Sequence, residues 1–248
     1  MRDVGRGAGD ELRFMRARAA LNDELDRLIF SYSGEFVPST YRFGRAVRFS
    51  IMTTEKTVPR RLFVSMIVSL DGFIEGPHRE LDWFEDGDPH FERYCDEMID
   101  SVGLALYGRR SYELMLRYWP NAELNPESPA SLAFARKMNA LPKLVLSRTL
   151  ERAEWNNTQI VSDRVAERIT ELKQQPGKPI VAWAGADLVK TLGNLGLVDE
   201  YRLIVTPVLL GGGTPMFQGI EQRRKLKLTR TTQLGRSLAV LCYEPLAP

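Results

Sequence analysis

The stretch "LALYGRRSYELM" (residues 104–115) sets an apolar strand, a glycine and a helix end to end, with two arginines at the junction. "LALY" has the short, continuous apolar character of a strand buried on both faces. Arginine is poorly suited to open the helix that follows, because the first-turn N–H groups and the macrodipole already make that end positive. An anion seated at the turn reverses the balance. Gly108 lets a ligand approach the backbone, Ser111 adds a hydroxyl, and Arg109 and Arg110 project in different directions from adjacent helical positions. This strand–glycine–helix unit recurs along the chain, and its recurrence sets the fold class.

Working outward, "RLFVSMIVSLDGFIEG" from Arg61 predicts a buried strand ending in an Asp-Gly turn. Residues 88–101 predict a helix, with Asp88 before Pro89 as its cap. Beyond 115, Pro120 and the stretch 121–129 predict an open loop, and 130–139 a short helix. "PKLVLSRTL" and "TQIV" predict strands, and "DRVAERITELKQQPG" a helix stopped by Pro176 and Gly177. "KPIVAWAGADLVKTLGNLG" repeats the opening pattern. "DEYRLIVTPVLLGGG" reads as one long apolar strand, opened by a structural Asp199-Glu200 pair and closed by three glycines. "KLKLTRTTQLGRSLAVLCYEP" predicts a hairpin turning near Gly235. Alternation on this scale specifies an α/β fold, a mostly parallel central sheet covered on both faces and carrying an antiparallel C-terminal hairpin.

Two further turns match the first. "SRT" (Ser147, Arg148, Thr149) follows the strand "KLVL" directly, and "AGAD" (Ala184, Gly185, Ala186, Asp187) lies between "IVAW" and the helix "LVKTL". A lone glycine at such a junction is ordinary turn chemistry. Three junctions in succession, two of them with arginine, suit a dinucleotide carrying several phosphates. The usual fingerprints are absent: no GxGxxG follows the first strand and no GxxxxGK[ST] occurs, so ordinary Rossmann and P-loop arrangements are set aside.

Composition narrows the alternatives. The 248 residues carry a formal net charge of +2, which gives no reason to invoke nucleic acid or an anionic membrane. No apolar run reaches the ~18 residues a membrane span needs. Cys95 and Cys242 form no disulfide framework and read as reduced thiols of a cytoplasmic protein. Two histidines without ligand-spaced partners predict no metal site. Residues 1–58 differ from the rest. They hold a ragged apolar stripe at 11–29 and then little sustained period, and they read as an N-terminal extension, flexible or docked as an arm. A start set too far upstream, with Met52 close to the true beginning, accounts for the same pattern. The folded domain is expected over 59–248.

Residues 61–245 resemble the dihydrofolate reductase-like superfamily, specifically the domain shared with the reductase half of the bifunctional riboflavin biosynthesis protein. The resemblance is carried, in family order, by "SLDGFIEG" (69–76), "LDWF" (81–84), "LALYGRRSYELM", "LVLSRTL" (144–150), "IVAWAGADLVKTL" (180–192) and "GLVDEYRLIVTPVLLGGGTPMF" (196–217). It implies a three-layer αβα fold and an NADPH-dependent reductase, usually dimeric, acting on a small heterocycle. The activity implied is related to 5-amino-6-(5-phosphoribosylamino)uracil reductase, a pyrimidine reductase, and to dihydrofolate reductase. By matching position, Gly108, Arg109, Arg110 and Ser111 correspond to the turn beside the adenosine 2′-phosphate, and Ser147, Arg148 and Thr149 to its second wall. Gly185, Ala186 and Asp187 correspond to the loop under the pyrophosphate, with Ala184 where a glycine is usual.

Hydride transfer needs the nicotinamide aligned with an electrophilic carbon and a proton managed. Asp71, at the end of the first strand, is the carboxylate best placed by sequence, in competition with an Asx turn preceding Gly72. Asp82 is the second candidate. Ser69, Trp83 and Phe84 are expected in the substrate pocket, the two aromatics as a stacking surface or as plain core or lid. Two departures separate the chain from the riboflavin enzyme: Ser65 stands where that family carries a lysine, and "ELMLRYWP" replaces an Asp-Asn-Pro segment. The reading is therefore a stand-alone reductase of unassigned substrate, against a non-catalytic dinucleotide sensor or storage protein on the same fold.

Overall fold

The structure is a computed structural model that describes residues 59–84 and 87–246; the extension at 1–58, with the helix expected inside 11–29, lies outside the described residues. In chain order the elements are β1 (Leu62–Ser69), α1 (Pro89–Ser101), β2 (Leu104–Gly108), α2 (Arg109–Leu116), a 3₁₀ turn (Trp119–Asn121), α3 (Pro129–Ala140), β3 (Lys143–Leu146), β4 (Thr158–Val161), α4 (Val165–Gln174), β5 (Ile180–Ala182), α5 (Ala186–Asn194), β6 (Glu200–Thr206), β7 (Leu226–Leu234) and β8 (Leu238–Pro245). They build one sheet of order β4-β3-β2-β5-β1-β6-β8-β7. The first six strands run parallel, while β8 pairs antiparallel with β6 and β7 with β8.

Helices cover both faces, giving three layers. Leu62, Val64 and Val68 of β1 pack with Ile169 and Leu172 of α4 and with Leu188, Val189 and Leu192 of α5. The alternate residues face the other way. Phe63, Ala105, Tyr107, Val145 and Val181 meet Met98 and Ile99 of α1, Tyr112 of α2 and Met138 of α3. This period of two along each strand follows from the pleat. Helix ends obey local chemistry. Asp88 caps α1 by accepting from the His90 N–H at 2.7 Å, and Ser128 with Ser131 forms a reciprocal cap on α3.

One element is shorter than the sequence suggests. The apolar run 200–213 is a strand only to Thr206. Pro207 has no N–H to give the ladder, and the chain leaves the sheet there. Leu209 consequently stands 71% exposed in a loop instead of within a buried strand. The acidic pair that opens β6 is structural: the Asp199 carboxylate accepts from the Leu62 N–H at 2.7 Å and pairs with Lys173.

Candidate functional site

The parallel strands deliver their carboxyl ends to one edge of the sheet, and an open cleft of about 2010 Å³ lies along it. Ligands in open α/β sheets occupy this edge. The three junction turns converge on the cleft: Gly108, Arg109, Arg110 and Ser111 from β2–α2, Ser147, Arg148 and Thr149 after β3, and Ala184, Gly185, Ala186 and Asp187 from β5–α5.

Glycine is the N-cap of both α2 and α5, and neither helix receives a side-chain cap. Their first-turn N–H groups are therefore left to whatever occupies the cleft. Neither glycine is required by the backbone, since Gly108 (φ −81°, ψ 165°) and Gly185 (φ −72°, ψ 170°) are ordinary extended residues. Nor does packing demand them. A methyl group on Gly185 would meet only Ser111 Oγ at 3.5 Å, and one on Gly108 only the Leu188 side chain, from 3.5 Å. These contacts also show that the two helix N-termini abut. Two adjacent glycines that the fold does not need are a cradle for a group that approaches the backbone closely. The residues present thus fit a diphosphate. Ala184, by contrast, is fully buried and packs with the core cluster between β1 and the helices α4 and α5.

The arginines of the cradle are differently engaged. Arg109 Nε bonds Glu113 Oε1 and its Nη1 bonds Thr149 Oγ1, both at 2.7 Å, which ties the first turn to the second. Ser147 Oγ accepts from the Thr149 and Leu150 N–H groups and shapes the second turn. Arg110 and Arg148 are exposed and make no side-chain hydrogen bond or ion pair among the described residues. Asp187 sits exposed in the first turn of α5, where its carboxylate already offsets part of that positive end.

The expected proton donors lie elsewhere. Asp71 is exposed and does not line the cleft. Its carboxylate accepts from Ser69 Oγ at 2.6 Å, from the Gly211 N–H at 2.8 Å and from the Leu210 N–H at 3.2 Å. The Ser69 hydrogen bond, followed by the two backbone donors, holds its carboxyl below the usual carboxylate range. A carboxylate favoured in its charged form and held this way ties the end of β1 to the loop after β6. Ser69, expected in the substrate pocket, is buried, and its Oγ donates to Asp71 and accepts from the Phe73 N–H. Asp82 is exposed and also off the cleft wall. Trp83 and Phe84 do line it, edge to face with centroids 6.5 Å apart.

Sequence reasoning missed part of the wall. Segment 72–75 pairs with 214–216 through Ile74 N–H to Thr214 O at 3.0 Å, Thr214 N–H to Glu75 O at 3.1 Å and Met216 N–H to Gly72 O at 3.0 Å. This sets Glu75 and Thr214 in the cleft, with Thr214 Oγ1 donating to Glu75 Oε1 at 2.6 Å. Gly213 (φ +128°) passes so close that any side chain there would collide with the Glu75 carbonyl. The run of glycines before Thr214 was the available signal. Ser65 of β1 and Trp183 after β5 complete this end. Cys95 also lines it, but burial pushes its thiol up to about 12, which leaves no thiolate at neutral pH.

Comparison with known proteins agrees with this architecture. Residues 60–240 match the family described as the RibD C-terminal domain. YyaP of Bacillus subtilis, itself uncharacterised, is 37% identical over 77% of this chain and 97% of its own length. A putative riboflavin biosynthesis protein from Shewanella sp. PV-4 superposes with a TM-score of 0.59 at 21% identity, over 75% of this chain and 99% of that one. The bifunctional diaminohydroxyphosphoribosylaminopyrimidine deaminase/5-amino-6-(5-phosphoribosylamino)uracil reductase of Thermotoga maritima gives 0.55 at 15% identity, over 76% and 57%. At those identities the two solved structures show a shared fold. With its fold, its strand-end cleft and a family match over most of its length, the chain belongs to the RibD C-terminal domain family.

Proposed function

We propose that the protein is an NADPH-dependent reductase that passes a hydride to a small heterocyclic substrate, and that it works as a homodimer. The observation that carries this reading is the pair of abutting, uncapped helix N-termini whose glycines neither the backbone nor the packing requires. The N–H groups of α5 at Ala186 and Asp187 would hold a pyrophosphate, and those of α2 with Arg110 and Arg148 an adenosine 2′-phosphate. Arg109 contributes by fixing the two turns to each other. The cofactor, when bound, supplies the hydride. The chain's own task is to seat a flat ring beside it, for which Trp83, Phe84 and Trp183 provide aromatic walls.

Among the described residues of the β1 loop, Glu75 is the carboxylate that reaches the cleft, and Thr214 donates a hydrogen bond to it. The dimer part of the proposal is supported by β7. It is an edge strand, and Leu226 and Leu228 are 38% and 49% exposed on it. The deciding experiment is calorimetric titration of the full chain with NADPH and with NADH. NADPH should bind at least several-fold more tightly. Equal affinities, or no binding of either, would overturn the cofactor assignment. Binding without turnover over a broad panel of unsaturated heterocycles would favour a dinucleotide sensor instead.

A further inference from the structure

Ser65 stands in the middle of β1, the strand between β5 and β6. It is 3% exposed, contributes to the cleft wall, and its Oγ has no hydrogen-bond partner among the described residues. Native interiors rarely leave a hydroxyl unsatisfied, so such a group calls for an explanation. Its surroundings supply one. Val64 is in register with Ala182, and the next residue, Trp183, prolongs the β5 ladder by donating its N–H to Leu106 O at 3.1 Å. Ser65 and Trp183 are therefore side by side. Trp183 packs with Phe63 and Tyr107 on one face of the sheet, and the period of two along β1 puts Ser65 on the same face as Phe63.

The rest of this wall is apolar: Ile67, Phe84, Phe91 and Ile204 line it with the neutral Cys95. Its carboxylates among the described residues are Glu75, which accepts from Thr214, Glu92, which is exposed, and Asp96, which is paired with Lys137 at 2.7 Å. Among the described residues, the cations that reach it are Arg79 and Arg93, exposed on the rim, and Lys137, which is held by Asp96 and Asp100. Arg202 neighbours Ser65 in the register but is turned away. Its guanidinium lies 3.6 Å above the Phe63 ring and its Nε is 2.7 Å from Glu200. The groups assigned above to phosphates sit on the turns before α2, after β3 and before α5.

We infer that the substrate is a neutral, unphosphorylated planar heterocycle that lies against Trp183 and makes its buried polar contact with Ser65 Oγ. A phosphate at this end would leave bulk water for a wall of apolar side chains and carboxylates, where the nearest half-buried cations among the described residues, Lys137 and Arg202, are already held by Asp96 and Asp100 and by Glu200. A ring carbonyl or ring N–H meets the opposite situation. It gives Ser65 the partner it lacks, and only neutral surface has to be desolvated. The Oγ is covered by neighbouring side chains, so a ligand reaches it when those side chains shift to admit it. This inference rests on the reductase reading for the identity of the cleft.

The test uses lumazine, uridine and uridine 5′-monophosphate as probes, titrated into the full chain with and without NADPH. Lumazine or uridine should bind, and uridine 5′-monophosphate should bind at least tenfold more weakly than uridine. Ser65→Ala should weaken lumazine roughly two- to tenfold, the range of one neutral hydrogen bond. It should leave the thermal midpoint unchanged or raised, because it removes a buried hydroxyl without a partner. Three results overturn the inference: neither neutral probe binding, the monophosphate matching uridine, or Ser65→Ala binding lumazine as well as the parent chain. Loss of NADPH binding in the parent chain would instead count against the cofactor assignment, so the two failures are told apart.

Discussion

Gly185→Ala should separate cofactor affinity from stability. At φ −72° and ψ 170° alanine is as comfortable as glycine, and its methyl group would touch only Ser111 Oγ at an ordinary 3.5 Å. Native contacts are therefore unchanged and the unfolded chain loses freedom, about 0.4–1 kcal/mol in the variant's favour, but alanine is the poorer N-cap by a similar amount, so stability should change by less than about 1 kcal/mol. The cradle fares differently. A methyl group there stands between a diphosphate and the first-turn N–H groups of α5. Charge-assisted hydrogen bonds are worth about 1.5–3 kcal/mol each. Losing one or two of them predicts about 3 kcal/mol, more than a hundredfold in the NADPH dissociation constant. Thermal unfolding without ligand gives the first quantity and calorimetric titration the second. A variant that melts normally and binds NADPH as the parent does would show that no ligand approaches this helix end.

Further expectations concern the other parts of the structure. Arg110→Ala and Arg148→Ala should each weaken NADPH by about 1 kcal/mol, the scale of an exposed pair, and leave NADH unchanged, as read from paired titrations. Asp71→Asn should lower the thermal midpoint while leaving NADPH affinity in place. Because the folded Asp71 carboxyl lies below its ordinary 3.8, its stabilisation is complete above that pH and is lost as pH falls through the folded value. The gap between parent and variant should therefore be full at neutral pH and close in acid, which melting curves across pH will show. Sedimentation at micromolar protein should give a dimer mass, and a monomer there would reject the assembly proposal.

The sequence revealed what is local. Alternating strands and helices, the Asp88 cap and the three glycine or serine junctions are set by neighbours a few residues apart, and their pattern is visible without a fold. The end of β6 was also written locally, in Pro207, but the apolar side chains beyond it masked the missing N–H. The cleft wall is another matter. Glu75 and Thr214 come from segments without periodicity, 139 residues apart, and their pairing exists only after β1 and β6 lie together. Asp71 shows the same limit from the other side. Its place at the end of a central strand was read correctly, yet its role is decided by the N–H groups of Leu210 and Gly211, 139 and 140 residues away. Ser65 was noticed for the lysine it replaces, and only the sheet register explains what surrounds it.

The position of β1 has a consequence for how the chain reaches this structure. It is the first described strand to be made, yet both of its partners, β5 and β6, come late: Leu62 pairs with Ile180 on one side, and its N–H bonds Asp199, 137 positions on, at the other. Contacts of such separation require large loops to close before any stabilisation is gained, and topologies rich in them fold slowly. A nascent chain therefore carries "LFVSMIVS", an apolar β-branched segment with both edges open, until most of the domain has left the ribosome. During that interval the strand destined for the centre of the sheet is its chief aggregation hazard.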